Sequence, residues 1–203
     1  MNDKVKVGLD EWLVVDAARS DLITDGLNGC VAVGLAKGDK LSLAHVYSDC
    51  GPATWDDYKI KLDAALEASG MGSLDGTKAV LVYAQGDVRQ GGGADWLPSK
   101  LEAWLQEKGA TVDRVVDSGC HVSAADGQLA CLTKSHGQDQ DAYRYGYLTS
   151  SDQEAGLLHR GRLSGNAKPA DLPHPSQAEK DYAGPRLNDA PHPRQSYWFL
   201  NSS

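Results

Sequence analysis

Thr24-Asp-Gly-Leu-Asn-Gly-Cys30-Val-Ala-Val-Gly-Leu35, with Leu43-Ala-His45-Val46 a short way downstream, is the stretch on which the reading of this chain turns. It sets a cysteine on a glycine-bearing turn at the head of one apolar run and a histidine at the end of the next. Lys37-Gly-Asp-Lys40 lies between the two runs and has the composition of a hairpin connection. Residues 30–36 and 41–47 are therefore predicted to be antiparallel neighbours, with Cys30 and His45 near the same end. A thiol becomes a nucleophile at neutral pH when a base takes its proton, and histidine is the usual base. The local chemistry expected of this stretch is that of a cysteine–histidine amide-cleaving enzyme, which needs no cofactor and no metal.

Outward from this stretch the chain divides near residue 134. Residues 1–133 hold 20 acidic and 12 basic side chains, the whole of the net charge of −8, whereas residues 134–203 hold 8 of each. Six of the 8 prolines fall in that second part, at 169, 173, 175, 185, 191 and 193. The expected organisation is one domain over residues 1–133 and a loop-rich C-terminal extension over 134–203 that wraps the core or binds the target. Two aromatic islands, Tyr143-Arg-Tyr-Gly-Tyr-Leu148 and Tyr197-Trp-Phe-Leu200, are candidates for pinning that extension down.

With 203 residues the chain is long enough to bury a sizeable core. Its acidic balance argues against nucleic acid as a partner. It has no 18-residue apolar run, so no membrane insertion is expected. Met1-Asn-Asp-Lys-Val-Lys6 lacks the hydrophobic centre of a signal peptide, which suggests a cytoplasmic protein or one secreted by another route. Cys30, Cys50, Cys120 and Cys131 have no close pairing and are expected to be free thiols.

Strands are predicted over 4–9, 12–16, 30–36, 41–47, 78–84, 111–117 and 128–132, from short apolar or alternating runs bounded by glycine and aspartate. Helices are predicted over 54–69 and 98–108. The first carries Trp55, Tyr58, Leu62, Ala65 and Leu66 at helical spacing, with Thr54 as N-cap and Gly70 as stop. The second carries Leu101, Trp104 and Leu105, with Pro98 in its first turn and Gly109 after its end. The fold class is α+β.

Thr24, Cys30-Val-Ala-Val and Ala-His45 together resemble the catalytic signature of the CheD family of chemoreceptor glutamine deamidases, and the element order resembles that family over roughly residues 4–133. The deamidase domains of cytotoxic necrotizing factor-type toxins share the same cysteine–histidine core. The resemblance implies a β-sandwich-type core flanked by helices and hydrolysis of glutamine side chains on a protein substrate. It implies Cys30 as nucleophile, His45 as base, Thr24 as the residue orienting the histidine, and backbone N–H groups around Asn28 and Gly29 as oxyanion donors. The chain departs from the family at Val82-Tyr-Ala-Gln-Gly-Asp87, where a Gly-Gly-Ala element is usual, and in its long C-terminal part. Those departures suggest a relative adapted to another target, such as a bacterial effector or toxin, with a regulatory partner as a candidate.

Other readings stand beside this one. The same dyad serves a cysteine peptidase or another amidase, and a CheD-like binding protein can keep the fold without turnover. Taken singly, a buried cysteine is ordinarily a small hydrophobe. Cys50 is expected to be structural. Cys120-His121 with Cys131 and His136 lacks the short Cys-x2-Cys spacing of structural zinc. Trp55, Trp96 and Trp104 are expected in the core, and His159, His174 and His192 in solvated loop. The glycine-rich loop Arg89–Ala94 is a candidate border of the site.

Overall fold

The computed structural model describes residues 3–25, 27, 29–48, 50–84, 95–125, 128–132 and 156–163. Ten strands and two helices lie among them, in an α+β arrangement made mostly of sheet. The strands are β1 (Asp3–Lys6), β2 (Glu11–Asp16), β3 (Ser20–Asp25), β4 (Val31–Lys37), β5 (Lys40–Val46), β6 (Lys78–Tyr83), β7 (Thr111–Val116), β8 (Gly119–Ala125), β9 (Gln128–Leu132) and β10 (Leu157–Arg162). The helices are α1 (Trp55–Ala68) and α2 (Trp96–Glu107).

The strands form two sheets. A six-stranded sheet runs β10-β2-β5-β4-β6-β7, and a four-stranded sheet runs β1-β3-β8-β9. Side chains alternate between the two faces of a strand, so one apolar run feeds two cores. In β2, Trp12 and Val14 join the core beneath the helices, while Leu13 and Val15 face the smaller sheet. β4 does the same, with Val31, Val33 and Leu35 on the helix side and Ala32 between the sheets. The central strands β2, β5, β4 and β6 are thus covered on both faces, in keeping with their nearly continuous apolar runs.

Trp104 of α2 packs edge-on against Trp12, with ring centroids 6.5 Å apart. That geometry is worth about 0.5–1.5 kcal/mol beyond area burial. The Trp104 indole N–H donates to Asp63 on α1 at 2.9 Å, so the two helices are tied through one side chain. Burial alone would raise the Asp63 carboxyl, but hydrogen bonds from Trp104 and Lys108 outweigh it and hold the group below its ordinary range.

Both helices lie where helical spacing predicts, shifted by one or two residues, and Gly70 and Gly109 follow them as stops with positive φ. Thr54 holds the N-cap position of α1 but makes no side-chain cap bond there. Its hydroxyl instead accepts the Gly51 N–H at 3.0 Å. The predicted 4–9 strand ends at Lys6, because Val7–Asp10 turns away with Asp10 at φ 64°.

Three strands are additional to the sequence expectation: β3, β8 and β10. The inward positions of β3 and β8 mix small or polar residues with a single large apolar one, Ser20, Leu22 and Thr24 in one and Cys120, Val122 and Ala124 in the other. That is too weak an apolar alternation to stand out. β10 falls inside the part predicted to be loop-rich. It pairs with β2 as an edge strand, and Leu163 just after it is fully buried. His159 therefore lies on a strand rather than in solvated loop, half-buried, and burial pushes its pKa down. The aromatic islands at 143–148 and 197–200 lie outside the described residues, as do His174 and His192. Among the described residues no helix is long and apolar enough to cross a membrane.

Gly34 of β4 sets how closely the sheets approach. A Cβ there would sit 2.7 Å from Val122 Cγ1 and 2.8 Å from Val80 Cγ1. Gly34→Ala is expected to destabilise the fold by about 1–3 kcal/mol through overpacking. A lower urea midpoint with unchanged slope is the measurement that checks it.

Candidate functional site

The site begins in the β4–β5 hairpin. Its two-residue connection, Gly38-Asp39, pairs Lys37 with Lys40 and, at the far end, Ala32 with His45. Leu41 and Leu43 of β5 face the smaller sheet, so His45, two residues further, faces it too. Cys30 precedes Ala32 by two residues and belongs to the same intersheet core. Cys30, just before β4, and His45, near the end of β5, therefore lie at the same end of the hairpin and on the same face. The small Ala32 opposite His45 leaves room for the imidazole. Cys30 and His45 are each 4% exposed.

Thr24 reaches the histidine from the other sheet. Its Oγ1 lies 2.8 Å from His45 Nδ1 and donates to the Val7 carbonyl at 2.9 Å. A hydroxyl has one proton and two lone pairs. With the proton directed at Val7, Thr24 must accept from His45, so Nδ1 carries the hydrogen. Proton accounting then leaves Nε2 as the basic nitrogen, the form a general base requires. The tautomer follows from the heavy-atom contacts.

Gly29, immediately before the cysteine, has φ 81°, a conformation that side chains resist. The turn is pinned at Leu27, whose N–H donates to the Ser118 carbonyl at 3.0 Å. Asn28, the other expected oxyanion position, lies outside the described residues, as does the 89–94 loop.

The remaining thiols lie in different surroundings. Cys50 sits in the core beneath the helices, on the opposite face of the larger sheet from Cys30. Burial, with a smaller contribution from Asp10, pushes its thiol up to about 12, so it is protonated and inert at neutral pH. Cys120 is registered opposite Thr24 and lies in the intersheet core. His121 points to the other face and meets Asp21 at 2.9 Å. Adjacent strand positions thus separate Cys120 from His121. The side chain of Cys131 and all of His136 are outside the described residues.

Sequence reasoning picked out Cys30, His45 and Thr24, and the fold brings Thr24 and His45 into contact and sets Cys30 on their side of the sheet. It passed over Val7, whose contribution is a backbone carbonyl and leaves no side-chain signal. It passed over Cys120 as a neighbour of Thr24, because the pairing of β3 with β8 spans nearly a hundred residues. The chain matches no protein-family model, and no curated protein matches it.

Alkylation by iodoacetamide, followed residue by residue with peptide mass spectrometry, is expected to label Cys30 far faster than Cys50 at neutral pH. Thr24→Val removes both hydroxyl contacts and is expected to slow Cys30 labelling about tenfold, the equivalent of one pKa unit. Thr24→Ser, which keeps the hydroxyl, is expected to retain most of the rate.

Proposed function

We propose that this chain is a cysteine-dependent protein-glutamine deamidase of the CheD-like kind, acting on a glutamine-bearing protein as an effector or toxin would. The observation that carries the reading is the 2.8 Å contact between Thr24 Oγ1 and His45 Nδ1, made across two sheets, with Cys30 facing the same core. A structural histidine would also need a partner for its ring N–H, and what supports the catalytic reading is that this partner leaves Nε2 as the basic nitrogen on the sheet face that Cys30 shares. A nucleophile–base–orienter set needs such an arrangement.

In this mechanism His45 Nε2 takes the Cys30 thiol proton, and the thiolate attacks the carbon of the glutamine side-chain amide. Negative charge collects on the amide oxygen, and the backbone N–H groups at Gly29 and Cys30 would be its donors. As the C–N bond breaks, His45 returns its proton to the leaving nitrogen and ammonia departs. Water, deprotonated by His45, then attacks the thioester. Glutamate is released on the target and the Cys30 thiol is regenerated. No metal or cofactor enters any step.

The near-complete burial of the pair favours one second reading, a CheD-like binding protein without turnover. Cys30 that resists iodoacetamide in the folded chain would support that reading against the first.

Incubation of candidate target proteins with the full chain is expected to raise their mass by about 1 Da per glutamine converted, with release of ammonia, and Cys30→Ser is expected to abolish both. His45→Ala is expected to lower the rate by about 10²–10⁴-fold. Unchanged turnover in either variant would refute the mechanism, and peptide-bond cleavage in place of the mass gain would identify a peptidase.

A further inference from the structure

Asp10 is fully buried and, among the described residues, the one non-glycine with positive φ, at 64°. Its N–H donates to the His45 carbonyl at 2.9 Å, and its own carbonyl accepts the Leu163 N–H at 2.9 Å. Its Oδ1 accepts the Tyr58 hydroxyl of α1 at 3.3 Å. At the other end of the same turn, the Val7 carbonyl accepts the Thr24 hydroxyl at 2.9 Å, while the Val7 N–H donates to Ile23 at 2.8 Å. The buried Glu11 closes the turn by accepting the Gly8 N–H at 3.1 Å. One short segment between β1 and β2 therefore touches both the backbone of the histidine and the hydroxyl that orients its ring.

From these contacts we propose that Asp10 is a positioning residue. Its side chain, held by Tyr58, keeps the Val7–Glu11 turn in the one conformation that aims the Thr24 hydroxyl proton away from His45. Left-handed backbone is unfavourable for most L-residues, and aspartate tolerates it because its short polar side chain can hydrogen-bond nearby. Alanine has no such anchor and prefers negative φ. Relaxation of the turn would draw the Val7 carbonyl off Thr24. The Thr24 proton would then turn to His45 Nδ1, the imidazole hydrogen would move to Nε2, and Nε2 would no longer accept a proton from Cys30. The Leu163 contact ties this control to the end of β10, so a strand from the C-terminal part helps to set the base. The inference rests on Cys30 and His45 being the reactive pair, as proposed above.

The test reads the tautomer directly. Long-range 1H–15N correlation spectra of the full chain labelled with 15N-histidine are expected to show His45 protonated at Nδ1. Asp10→Ala is expected to shift it towards Nε2–H and to slow Cys30 alkylation about tenfold at neutral pH, equivalent to one pKa unit. Asp10→Asn, which tolerates the same backbone and still offers Tyr58 an acceptor, is expected to recover both. A folded Asp10→Ala variant with an unchanged tautomer and unchanged alkylation would overturn the proposal, as would Asp10→Asn behaving like alanine. Should Asp10→Ala fail to fold, Tyr58→Phe releases the carboxylate while keeping the ring, and an unchanged tautomer there would overturn it equally. None of these readouts uses a glutamine substrate. A tautomer shift without deamidation of any target would therefore leave the positioning role standing and count against the deamidase reading alone.

Discussion

The site depends on where one hydroxyl proton points. Thr24 belongs to the smaller sheet and His45 to the larger, and the Thr24 hydroxyl joins them while giving its proton to Val7. Because a hydroxyl donates once, that choice decides which imidazole nitrogen is basic. The contact exists only while the two sheets keep their spacing and register. The packing of Leu22, Leu43, Val80 and Val122 between them thus holds this contact as well as the fold. A slip of β3 or β5 by one residue in its pairing register would turn Thr24 or His45 to the opposite face.

The larger sheet separates two environments with opposite effects on a thiol. On its helix side, Cys50 lies among apolar residues near Asp10, and burial raises its thiol to about 12. On its other side, Cys30 shares the intersheet face with an imidazole whose basic nitrogen is fixed. Both cysteines are buried to a similar degree, so exposure does not distinguish them. What distinguishes them is the side of the larger sheet on which each lies: Cys30 shares the intersheet core with the face that carries His45, and Cys50, in the loop after β5, lies on the helix side near Asp10.

The hairpin was legible from residues 30–46 because it is local. Apolar runs on both sides of Gly38-Asp39 leave little choice of register, and His45 and Cys30 fall on the same face by counting in twos. The helices were legible for the same reason, through the spacing of Tyr58, Leu62, Leu66, Leu101 and Trp104. β3 and β8 were not. Each is half polar, and Leu22 and Val122 become core residues only once the strands are paired across a long stretch of chain. β10 was hidden differently, as a strand carrying His159, Arg160 and Arg162 that forms because the edge of β2 accepts it. Thr24 was picked out through its resemblance to a family signature. Nothing in its own neighbourhood says that its partner is His45.

By itself, the sequence determined the mixed α and β character, the hairpin that carries Cys30 and His45, and the two helices that cover it, because short-range periodicity and turn chemistry govern all of these. Tertiary structure alone decided the pairing of β3 with β8, the addition of β10, and the clamp formed by Val7 and Asp10 around Thr24 and His45. Those features depend on backbone groups and on contacts between residues distant along the chain. A backbone carbonyl looks the same at every position in a sequence, and only the folded chain shows which hydroxyl it faces.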